Sequence, residues 1–202
     1  NTPSSLGESY SIEMKKELKN GLYPSAPDLV GISGYINVPE NFKLADVKGK
    51  VVLVDFWTYS CINCIRTQPY LNAWHDAYGD KGLVIMGVHT PEFDFEKKYD
   101  NVQNAVKNAG VKYPVVLDND YQTWRAYKNQ YWPHKYLIDA DGFIRYDHIG
   151  EGAYEETEEQ IQLLLKERDE KLSLEGVVSN DISSQTSGTA FSKIGTPEIY
   201  LG

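Results

Sequence analysis

The chain has 202 residues, enough for one domain with a well-filled core plus tails. Its 29 acidic residues against 20 basic ones leave a net charge of -9, which argues against nucleic acid and against an anionic membrane surface as partners. No run approaches the ~20 apolar residues of a membrane span, and no signal-peptide pattern is present, so the compartment is not written in the chain.

Residues 1–25 read as an N-terminal extension. Within it, residues 9–22 set Ile12, Leu18 and Leu22 among Glu13, Lys15, Lys16, Glu17 and Lys19, a short, weakly amphipathic spacer helix ended by Pro24 and Pro27. Residues 29–38 carry turn residues at Gly31, Gly34 and Asn37 and read as a short hairpin-like strand. Phe42, Leu44 and Val47 then lead through a turn at residues 48–50 into Val51–Trp57, a continuous apolar run rich in β-branched residues that reads as a buried strand.

After a polar turn at Thr58, Tyr59 and Ser60 come Cys61 and Cys64, with Ile65, Leu71 and Trp74 continuing at helical spacing to an end near residues 78–82. The two thiols thus sit where a strand hands over to a helix. Cys61 falls at the first turn, where unpaired backbone N–H groups stabilise a thiolate, and Cys64 lies one turn further in, close enough to pair with it. Zinc is disfavoured: it wants four ligands, there is no third cysteine, and His75, His89, His134 and His148 show no paired ligand spacing. An inert structural bridge remains the alternative, although it would close a very short loop, which stabilises little.

The remaining elements alternate. Residues 83–88 form a second apolar strand; residues 95–108 carry Val102, Ala105 and Val106 at helical spacing with Gly110 as a stop; residues 113–117 form a third strand and residues 121–127 a short helix. Residues 134–138 and 143–149 flank Asp139-Ala140-Asp141-Gly142, a hairpin signal, and residues 154–172 form a charged amphipathic helix with Ile161, Leu164 and Leu165 inward. The pattern predicts an α/β domain over 26–172, a mixed sheet with helices on both faces. Residues 173–202 change character: 179–192 are rich in Ser, Thr and Gly and read as a linker.

The segment VDFWTYSCINC resembles the active-site stretch of the thioredoxin superfamily, and GKVVLVDFW with WPHKYLID resembles its extracytoplasmic TlpA-like branch. The stretches FWTYSCINCIRTQPYLNAW, GVHTPEF and DNDYQTWRAYKNQYWPHKYLID are similar to the soluble region of DipZ-type membrane-anchored disulfide reductases. The likeness runs over residues 26–168. It implies a thioredoxin-like fold and an extracytoplasmic enzyme that reduces protein disulfides, fed by a membrane electron donor of the DipZ/CcdA type, with no cofactor beyond the Cys61–Cys64 pair. It also implies that residues 195–202 begin a following β-rich module.

In this reading Cys61 attacks and Cys64 resolves the mixed disulfide. Ile62 and Asn63 between them carry no cation, a feature that leans toward a reductant. Asp55, an acid inside an apolar strand and on the same face as Trp57, is the expected proton acceptor for Cys64, with its pKa raised by burial; the alternative is a strand-end aspartate tied to solvent or a cap. Thioredoxins often place a lysine near this acid, and the matching position here is Gly87, so a cation-free environment is expected. The resemblance further implies that Pro133 after Trp132 is cis and packed against the dithiol. Trp57, Ser60, Ile62, Asn63, Trp132 and Pro133 are the expected site-lining residues. Ser60 stands where TlpA-like chains commonly have Trp, and Thr67 where many have an acid. A thiol peroxidase and a non-catalytic thioredoxin-like binding module are the competing functions.

Overall fold

The computed structural model of the protein describes residues 5–170, 172, 174 and 176–187. In chain order the helices and strands are α1 (Ser5–Leu22), β1 (Gly34–Ile36), β2 (Val51–Trp57), α2 (Ile62–Tyr78), β3 (Leu83–His89), α3 (Tyr99–Asn108), β4 (Val115–Leu117), α4 (Gln122–Ala126), β5 (His134–Ile138), β6 (Ile144–Ile149), α5 (Tyr154–Arg168) and α6 (Ser179–Ser187). One six-stranded sheet runs in the order β1-β4-β3-β2-β5-β6. β2, β3 and β4 are mutually parallel; β5 runs antiparallel to β2, β6 to β5, and β1 to β4.

Every residue of β2 is buried, because this central strand has neighbours on both edges and layers on both faces. Side chains alternate across a strand. Val51, Leu53 and Trp57 therefore join one core with Cys64, Leu71 and Trp74 of α2, Val102 and Val106 of α3, and Ile161, Leu164 and Leu165 of α5. Val52, Val54 and Phe56 join the other, with Met86, Val88, Trp124, Tyr127 and Tyr136. Among the described residues, the second face is closed by short α4 and by Ala26, Leu29, Ile32, Phe42, Leu44 and Val47 of the N-terminal segment.

Four expectations need correcting. The expected hairpin-like strand over 29–38 shrinks to three residues that pair with distant β4, because Ser33 and its neighbours find their backbone partners at Leu117. The expected helix over 95–108 is broken at Lys98 (φ -75°, ψ 120°): Asp94–Lys97 is a separate 3-10 turn, closed because the Glu96 carboxylate captures the N–H groups of Glu92 (2.6 Å) and Phe93 (2.9 Å). The α1 helix leaves Met14, Leu18 and Leu22 exposed and is tied down by charge, with Lys19 Nζ 3.0 Å from Asp139, 2.7 Å from Asp141 and 2.6 Å from Glu167.

The fourth concerns the serine-rich stretch expected to be a linker. Its first part is helix α6, and the folded unit therefore continues past residue 172. Glu158 of α5 is fully buried and accepts from Val178 N (2.7 Å), Ser179 N (2.8 Å), Ser179 Oγ (2.5 Å) and Tyr78 OH, while Trp74 Nε1 donates to Ser179 Oγ at 3.1 Å. The α6 start is thus capped by a side chain distant in sequence, which composition cannot reveal. The rest of the expected linker, and residues 195–202, lie outside the described residues. Among the described residues no helix is long and apolar enough to cross a membrane.

Candidate active site

The site forms where β2 gives way to α2. Thr58 O accepts from Cys61 N at 3.3 Å, which closes the turn, and Cys61 is the extended N-cap of α2 (φ -71°, ψ 119°). This puts the Cys61 sulfur beside the unpaired N–H groups of the first helical turn. Cys61 is half-buried and Cys64 is 1% exposed; both are free thiols, and Cys61 is close enough to act on the Cys64 thiol. Burial first, then the Asp55 carboxyl, pushes the Cys64 thiol far up, against a weaker opposing pull from the Thr58 backbone N–H. The expected division, one accessible sulfur and one shielded sulfur, is present.

Asp55 is fully buried in β2, on the face that meets α2 and Cys64, and its Oδ1 has no hydrogen-bond partner among the described residues. Burial pushes its pKa from 3.8 up to about 7. The expectation of a cation-free pocket is wrong. Gly87, the β3 neighbour of Asp55, indeed offers no cation and has no room for one, since an added Cβ would stand 3.0 Å from Trp57 Nε1 and 3.2 Å from Val115 Cγ2. The charge comes from the other neighbour: Lys135 of β5 is the register partner of Asp55 and is fully buried, and its charge tempers the rise at Asp55. Its signal in the sequence is a lone lysine inside the apolar run of β5.

Trp57 is buried below the turn and meets the His89 ring edge-on at 5.1 Å. His89 is itself fully buried, held down to about 4 by burial, and stacked on Tyr59 at 5.6 Å; it is a packed residue. Ile62 is 56% exposed beside Cys61, and Asn63 is half-buried with its carbonyl accepting from Thr67 Oγ1 at 2.9 Å. The Trp132–Pro133 peptide is cis. Since His134 pairs with Phe56, the register sets Pro133 beside Trp57, at the end of the sheet from which the cysteine turn departs. Trp132 packs on the core cluster that Cys61 also touches, and its Nε1 donates to Thr90 O at 3.0 Å.

Ser60 has a role the sequence did not suggest. Its Oγ donates to Glu96 Oε1 at 2.5 Å. Glu96 is completely buried; burial works to raise its pKa, but hydrogen bonds from Ser60, Thr58 and the N–H groups of Phe93 and Glu92 outweigh that and hold it below the usual carboxylate range. A buried anion thus clamps the turn just before Cys61. Nothing local distinguishes Glu96 in sequence, since it sits among Asp94, Lys97 and Lys98 like a solvated charge. Among the described residues no group of three or more His, Cys, Asp or Glu side chains is arranged to hold a metal ion.

Comparison with known proteins agrees with this geometry. DipZ of Mycobacterium tuberculosis is 46% identical over 180 residues, which cover 88% of this chain but 25% of that protein, so the chain spans about a quarter of this relative's length. The thiol-disulfide oxidoreductase ResA of Bacillus anthracis is 33% identical over 127 residues, 63% of this chain and 68% of ResA. Among solved structures, a thioredoxin-like protein in the oxidised form superposes with a TM-score of 0.66 at 25% identity, covering 72% of this chain and 97% of that one. The thioredoxin domain of a thiol-disulfide oxidoreductase from Bacteroides vulgatus superposes with a TM-score of 0.58 at 28% identity, covering 68% and 96%. A sequence profile of the AhpC/TSA family matches residues 25–147, and the chain therefore belongs to that family, on a thioredoxin-like fold.

Proposed function

We propose that this chain is a thiol-disulfide oxidoreductase that reduces protein disulfides through Cys61 and Cys64. The observation that carries this reading is the pair itself: a half-buried thiol at a helix N-terminus, one turn from a buried thiol that lies beside a buried acid. The Cys61 thiolate attacks one sulfur of the substrate disulfide, and the other sulfur leaves and takes up a proton. Cys64 then passes its proton to Asp55 and attacks Cys61 Sγ. The second substrate sulfur is expelled as a thiolate; the dithiol's two electrons have passed to the substrate sulfurs, and the Cys61–Cys64 disulfide is the oxidised form left behind. Asp55, poised near neutrality, is suited to accept that proton and release it to water. Trp57, Ser60, Ile62, Asn63, Trp132 and Pro133 line the approach in this reading.

The oxidised pair must be reduced again. The likeness to DipZ and ResA supports an extracytoplasmic location and a membrane electron donor of the DipZ/CcdA type, with no cofactor beyond the cysteine pair. The test is Cys64→Ala offered a disulfide-bonded protein. The variant should accumulate a covalent adduct through Cys61, and Asp55→Asn should form the adduct near the wild-type rate but resolve it slowly. A Cys64→Ala protein that forms no adduct would remove the two-step scheme, and turnover of peroxide in its place would point to peroxidase chemistry.

A further inference from the structure

We propose that Lys135 is a positioning residue for the second half of the exchange: its buried ammonium, held across from Asp55, favours the charged forms through which Cys64 and Asp55 pass as the mixed disulfide resolves. This rests on the dithiol reading above. Lysine is almost never fully buried unless its charge is answered, yet Lys135 is completely buried in the middle of the molecule. Its Nζ donates to Gly150 O at 3.0 Å and lies 5.9 Å from the centre of the Tyr154 ring. Among the described residues it has no carboxylate within 4.0 Å. One carbonyl for three N–H donors is poor compensation for a buried charge.

The nearest anions it can answer are those of the reaction. Opposed residues on antiparallel strands share a face, with Cβ atoms about 5 Å apart, and the partner of Lys135 is Asp55. Cys64 meets the same face from α2, and both groups act on Lys135. The β3 side is closed by the close packing at Gly87. The other titratable neighbours are Cys61 at the N-cap of α2, Tyr113 just before β4, Tyr154 at the start of α5, His148, the β6 partner of Lys135, and His134, which points to the opposite face of β5 and is held there by Asn129 (2.6 Å) and Asp147 (2.7 Å). Burial pushes both tyrosines up, so they stay neutral through the neutral range, and His148 Nε2 faces the Glu151 carbonyl at 3.3 Å. That leaves Asp55 and Cys64 as the pair whose charge the ammonium biases. The pocket must hold one negative charge for this step, first on the Asp55 carboxylate that is ready to accept and then on the Cys64 sulfur that has given up its proton, and a fixed cation across from both lowers the cost of holding it.

Lys135→Met keeps the length of the side chain and removes its charge. Adduct formation and resolution are timed separately by acid quench between pH 5 and 9. The expected result is a resolution profile whose midpoint moves up by about one pH unit, so that resolution slows about fivefold near neutrality and about tenfold at pH 5–6, while adduct formation changes much less. A merely structural lysine would slow both steps or neither and leave the midpoint in place; an unmoved midpoint overturns the proposal. A second measurement uses the wild-type protein and does not depend on the variant folding. In an NMR titration, the Lys135 Cε resonance should step at the same pH as the Asp55 carboxyl carbon. A Lys135 signal that ignores that step overturns the proposal as well. Absence of adduct in Cys64→Ala would instead overturn the dithiol reading and leave this titration unaffected, so the two failures are separable.

Discussion

Removing the acid at position 55 should make the reduced protein more stable, and increasingly so as the pH rises. Asp55 binds its proton far more tightly in the folded chain than in the unfolded one, with its pKa raised from 3.8 to about 7 by burial. Between about pH 4 and 7 the folded protein keeps this proton while the unfolded chain has lost it, so stability falls as pH rises through that window and levels off above it. At about 1.4 kcal/mol per unit, the shift corresponds to ~4 kcal/mol of destabilisation above pH 7. Asp55→Asn keeps the shape and a polar head but cannot ionise. Urea unfolding of the reduced wild type and of Asp55→Asn should therefore give similar stabilities near pH 4 and a gap that widens to several kcal/mol by pH 8. A gap that stays constant from pH 4 to 8 would show that Asp55 titrates normally, and its role as a proton acceptor would fall with it.

Three further outcomes are expected. Limiting iodoacetamide on the reduced protein should label Cys61 before Cys64, since Cys61 is half-buried and Cys64 is 1% exposed; peptide mapping that finds Cys64 first would reverse their roles. Glu96→Ala removes the acceptor for Ser60 and for two backbone N–H groups; it should cost about 2–4 kcal/mol in urea unfolding and increase hydrogen exchange across residues 91–97, and a loss below ~0.5 kcal/mol would mean that the clamp is idle. Glu158→Ala unpartners the start of α6 and should free it from α5, seen as faster amide exchange in residues 178–183 and altered Trp74 fluorescence at a cost of about 2–4 kcal/mol; unchanged exchange there would show that α6 is held by its apolar contacts alone.

Much of the molecule is legible from one sequence because its signals are local. Continuous burial of β2 shows as an unbroken apolar run, the DADG turn marks the β5–β6 hairpin, and the strand-to-helix handover places Cys61 at a helix start whatever the rest of the fold does. The acid in that strand announces itself as well, since a charge among Val, Leu and Phe cannot reach water. What the sequence could not supply is whatever depends on residues far apart along the chain. Lys135 lies 80 positions from Asp55, and only the antiparallel pairing of β5 with β2 brings the cation across from the acid. Glu96 looks like one more surface charge until the loop after β3 folds over the cysteine turn. The serine-rich segment reads as linker because its own residues bury little, and it becomes helix because Glu158 and Trp74 supply the partners its backbone and hydroxyls need. Periodicity reports which face of an element is apolar; which partner's charge or carbonyl meets that face is set by strand order and register, and these exist only once the chain is folded.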